Sequence, residues 1–92
     1  MASYTDAKKT NVKELIDKYT QDTLDNYVRA AIKDVGITKM NEGASAIEVA
    51  DAIYDCMNKS FSGDAYMAAA CKQICPKSIL LVLRNEIITV LK

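Results

Sequence analysis

Gly36, Gly43 and Gly63 are the only glycines in this chain, and Pro76 is its only proline. Each falls between sets of apolar residues that recur every three or four positions. Such spacing, with so few breakers inside the sets, marks amphipathic helices rather than strands. Half of the 92 residues are hydrophobic and 26% are charged, which is globular composition and argues against disorder. A chain of this length is one domain and buries roughly 60–65% of the surface its unfolded form exposes. The expected fold is all-α: a bundle of four to five short helices over residues 1–92, with residues 1–10 as a loosely ordered arm.

The punctuation divides the chain. Asn11 with Glu14 makes a capping-box pattern. Val12, Leu15, Ile16 and Tyr19 follow on one face. A second set, Leu24, Tyr27, Val28, Ala31, Ile32 and Val35, is rotated from the first by roughly 140° at helical pitch. A break near Thr20–Asp22 accounts for the rotation, with Asp22 capping a new helix and Asp25 at its N3 position. Gly36 reads as a left-handed helix end and residues 37–44 as a loop. Ser45 and Glu48 form another capping box ahead of Ile47, Ala50, Ile53, Tyr54, Met57 and Phe61. Ser62-Gly63-Asp64 reads as a turn, and Ala65–Cys75 as a short helix ended by Pro76.

Residues 79–91 admit two readings. As a helix, they are apolar around most of the wheel, with a narrow polar strip at Asn85, Thr89 and Lys92. As a β-hairpin, 79–83 and 87–91 would flank Arg84-Asn85-Glu86. The helix is favoured, because the turn lacks the glycine of a tight hairpin and no third strand is at hand.

Catalytic groups are scarce. The chain has no histidine, so the side chain best suited to proton transfer near neutral pH is missing. No phosphate-binding glycine loop or nucleophile elbow is present. Cys71 and Cys75 lie one helical turn apart, and Cys56 precedes them. They lack the paired spacing and the fourth ligand of a zinc site, so they read as core thiols, with no metal and no cofactor. The expectation is a protein that is not an enzyme.

Three surfaces are candidates. Glu48, Asp51 and Asp55 form an acidic stripe. No basic residue sits four positions after Glu48 or Asp51 to offset it. Leu80, Leu81, Ile87, Ile88 and Leu91 offer more apolar surface than one helix needs for its own packing, which suits an interface with a partner protein or a second copy. Lys8, Lys9, Lys13 and Lys18 cluster near the N-terminus and would serve a DNA-binding regulator. Lysine plus arginine equals aspartate plus glutamate, 12 each, so no net field draws the chain to nucleic acid. The start has no signal-peptide core, and the longest aliphatic run, Ile79–Leu83, is too short to span a bilayer. The expectation is a cytoplasmic, non-enzymatic interaction module of adaptor, chaperone or inhibitor type. Its partner is another protein, with a homodimer as a further option. Small phage and mobile-element inhibitors share this profile of size and composition.

Overall fold

Thr5 opens the first helix. Its backbone is extended, and its hydroxyl accepts the Lys8 amide at 3.2 Å, so one of the unsatisfied amides of the first turn is capped. In this computed structural model, which describes residues 3–62 and 77–92, α1 therefore runs over Asp6–Thr20. Asn11 is an interior residue of α1 rather than its cap. Residues 6–10, expected in an arm, are helical. Tyr4 packs against the core, and its hydroxyl donates to the Ala44 carbonyl at 2.5 Å. That bond ties the N-terminus to the turn before the third helix.

The break at Thr20 is real. Thr20 is fully buried, and its hydroxyl donates to the Ile16 carbonyl at 2.6 Å. Its own carbonyl accepts the amides of Thr23 and Leu24 at 3.1 and 3.0 Å, closing a turn. α2 then spans Asn26–Asn41, and its N-cap is Asp25, not Asp22.

Gly36 does not end α2. The helix passes through it, and Gly36 is buried. A Cβ there would lie 2.8 Å from Ile53 Cδ1 and 3.1 Å from Ile53 Cγ1. The missing side chain makes room for Ile53 of the facing helix. The left-handed residue is Gly43, with φ 78°. Around it the Ala44 amide reaches the Lys39 carbonyl and the Gly43 amide reaches the Met40 carbonyl, both at 3.1 Å. This is the Schellman arrangement, which satisfies the last carbonyls of the helix.

α3 covers Ala46–Ser62 and begins with the expected capping box. The Glu48 amide donates to Ser45 Oγ at 3.2 Å, and the Ser45 amide donates to Glu48 Oε1 at 3.1 Å. Among its described side chains Val49, Ala50, Ile53 and Met57 are buried, while Ile47 points outward. α4 covers Lys77–Leu91, which removes the hairpin alternative. The predicted turn at Gly63-Asp64, the helix Ala65–Cys75 and Pro76 lie outside the described residues.

The described residues thus form an all-α bundle of four helices. Each helix packs against two others: α1 on α2 and α4, α3 on α2 and α4. Val12 and Ile16, Ile32 and Met40, Ile53 and Met57, and Leu83 and Ile87 meet in one core. Charged pairs brace its corners. Lys33 Nζ lies 2.7 Å from both carboxylate oxygens of Asp17, joining α2 to α1. Arg84 Nε meets Asp51 Oδ1 at 2.6 Å, joining α4 to α3.

Candidate interaction surface

The acidic stripe has work within the fold. The Glu48 carboxylate closes the capping box, and its bonds from Ser45, the backbone one first, hold its pKa below the ordinary value. Asp51 is paired with Arg84, a residue 33 positions away that no local rule could name. Only Asp55 of the three keeps a plainly outward place without an assigned structural role. The lack of a basic residue four positions after Asp51 therefore does not leave it unbalanced.

The four lysines do not converge. At about 100° per residue they are spread around α1 rather than along one side of it. Lys8 Nζ donates to the Leu91 carbonyl at 3.3 Å, an interaction suited to the negative end of α4. Lys18 Nζ lies 5.3 Å from the centre of the Tyr19 ring. Lys9 is half-buried and Lys13 exposed.

The C-terminal set splits in two. Leu80, Ile87 and Leu91 are core residues, as is Leu83 beside them, and Ile88 is partly buried against that core. Leu81 alone remains on the surface, 47% exposed, and it is joined by Val82 at 48%. Sequence reasoning missed Val82. The signal was present: the strip at Asn85 and Thr89 marks the outward direction of α4, and Val82 lies about one helical turn before Asn85 and two before Thr89.

Beside this face runs a groove between α1 and α4. Its larger part, ≈ 440 Å³, is lined by Leu15, Val82, Asn85, Glu86, Thr89 and Val90. A further hollow of ≈ 260 Å³ shares Leu15 and Val90 and extends toward Asn11, Glu14 and Lys18. The Tyr19 phenol is held above its ordinary pKa, first by burial and then by its bond to Glu86 and that carboxylate's charge. Tyr19 and Glu86 thus neighbour each other where α1 meets α4 along the groove.

Among the described residues, no three His, Cys, Asp or Glu side chains are grouped to hold a metal ion, and no helix is long and apolar enough to cross a membrane. Cys56 is half-buried against the core, and Cys71 and Cys75 lie outside the described residues. No protein family, no curated protein and no solved structure matches this chain.

Proposed function

We propose that this chain is a small non-enzymatic module of the cytosol that works by binding another protein, as an adaptor, chaperone or inhibitor. Its binding surface is the outer face of α4 with the adjoining groove. One observation carries the reading: over residues 78–91, every exposed position of α4 is uncharged. Those positions are Ser78, Leu81, Val82, Asn85 and Thr89. The centres of protein interfaces are depleted of charge in this way, whereas a solvated helix face normally is not. The scattered lysines of α1 supply no comparable surface for DNA.

The test is capture of partners from the cells that make the protein, using wild type and a Leu81→Asp/Val82→Asp double variant, each with and without nuclease. Both positions are outward, so the variant is expected to keep its helical circular dichroism and lose capture. Equal capture by the two proteins would refute the surface. Capture that disappears with nuclease would replace the protein partner with nucleic acid.

A further inference from the structure

We propose that the groove between α1 and α4 binds a small organic cation: a primary ammonium at Glu86, carried on an aliphatic chain that lies along Leu15, Val82 and Val90. The site adjoins the binding face proposed above but does not depend on it, since it needs no partner protein.

Glu86 carries the inference. Among the described residues, three carboxylates are half-buried: Asp17, Asp51 and Glu86. Asp17 is held by Lys33 at 2.7 Å, and Asp51 by Arg84 at 2.6 Å. Glu86 has no lysine or arginine among the described residues in ion-pair contact. Its side chain lines the groove, yet its Oε2 is shut off from solvent and accepts no hydrogen bond. A buried acceptor without a donor carries its full desolvation penalty, and the penalty is larger on a charged group. The neighbouring Tyr19 phenol can serve one carboxylate oxygen, but it is neutral and brings no charge.

The cations nearby are engaged elsewhere. Arg84 is committed to Asp51, and its Nη1 reaches Asn85 Oδ1 at 3.5 Å. Lys18 stands in the outer hollow with Glu14, whose charge offsets its own, and its Nζ lies 5.3 Å from the centre of the Tyr19 ring. The net charge along the groove is therefore that of Glu86. A cation entering it supplies the missing compensation, and partial exclusion of water strengthens the attraction beyond that of a surface pair. The carboxylate turns about its last side-chain bond, so the ammonium meets whichever oxygen faces the groove.

The walls set the rest of the ligand. At ≈ 440 Å³, the groove falls in the range of about 300–1,000 Å³ typical of small-molecule sites. Leu15, Val82 and Val90 offer aliphatic surface, and no lining residue is aromatic. A methylated cation would find no ring face, whereas a primary ammonium brings the N–H donors that a carboxylate accepts.

Methyl NMR titration of the full chain with hexylammonium, hexanol and hexanoate tests this. The probes share one aliphatic chain length and differ in the charge at its end. Hexylammonium is expected to shift the Leu15, Val82 and Val90 methyls and to bind at least about threefold tighter than hexanol, with hexanoate weakest. Glu86→Gln keeps the shape and removes the charge, and should bring hexylammonium to the level of hexanol. Glu42→Gln, at the exposed end of α2, should leave the ranking unchanged. Equal binding by the three probes overturns the proposal. So does a preference that survives Glu86→Gln, or a set of shifts confined to methyls outside the groove. Should Glu86→Gln lose its helical circular dichroism, the wild-type ranking decides alone. The capture experiment is read separately: a failed ranking leaves the protein-binding face standing, and failed capture leaves this site standing.

Discussion

A methyl group at Gly36 would sit 2.8 Å from Ile53 Cδ1, inside contact distance in a closed core. Alanine is the better helix former by about 1 kcal/mol. Overpacking a core costs about 1–3 kcal/mol, and here it falls on a buried isoleucine with little freedom to retreat. Gly36→Ala is therefore expected to destabilise the fold by about 1 kcal/mol in urea unfolding, as overpacking exceeds propensity. Ile53→Val removes the offending Cδ1, so the double variant should be less destabilised than the two single changes added together. Simple additivity would show that Gly36 serves some other purpose. The same residue shows where sequence reading stops. Glycine followed by isoleucine is a good local signature for a helix end, and only the facing helix reveals that this glycine is an absence of bulk. Ser45 and Glu48 were legible because both partners of the capping box lie within four residues of each other.

At the scale of the element, α3 depends on that box. Ser45→Ala is expected to cost about 1 kcal/mol in the same unfolding experiment. Its pH dependence follows from Glu48, whose folded pKa lies below its unfolded one. Glu48 therefore stays charged to lower pH in the folded chain. Its stabilisation is complete above the unfolded value and is lost as pH falls through the folded one. Glu48→Gln should flatten the acid limb of a stability–pH curve, and an unaltered limb would contradict this. Tyr19 behaves in the opposite sense. Its folded pKa is raised, so its stabilisation is complete below the unfolded value and is lost as pH rises through the folded one. Tyr19→Phe should flatten the alkaline limb; an alkaline limb as steep as wild type's would mean that burial and Glu86 do not hold the Tyr19 phenol protonated. For α4, the helix itself was legible from its polar strip and the missing turn glycine. Which leucines face inward was not, because a wheel apolar on most sides leaves that choice to the neighbours. Leu83→Ala is expected to cost about 2–5 kcal/mol as a core truncation, and Leu81→Ala less than about 0.5 kcal/mol as a surface one. Similar losses at both positions would mean that the two faces are not distinct.

Across the whole molecule, the all-α bundle was readable because helical spacing recurs along the chain. The links that close it were not. Lys8 to Leu91, Asp51 to Arg84 and Tyr4 to Ala44 join residues 33 or more positions apart, and they turn candidate binding charges into braces. Under the function proposed above, the surface they leave for a partner is the face of α4 whose exposed residues are uncharged. The measurement that tests this most directly is photocrosslinking in the cells that make the protein, with benzoylphenylalanine placed at Val82 or at Tyr27, the latter 72% exposed on α2. The account predicts a discrete protein adduct from position 82, to a second copy or to another protein, and none in common with position 27. No adduct at 82, or the same adducts from both positions, would contradict it.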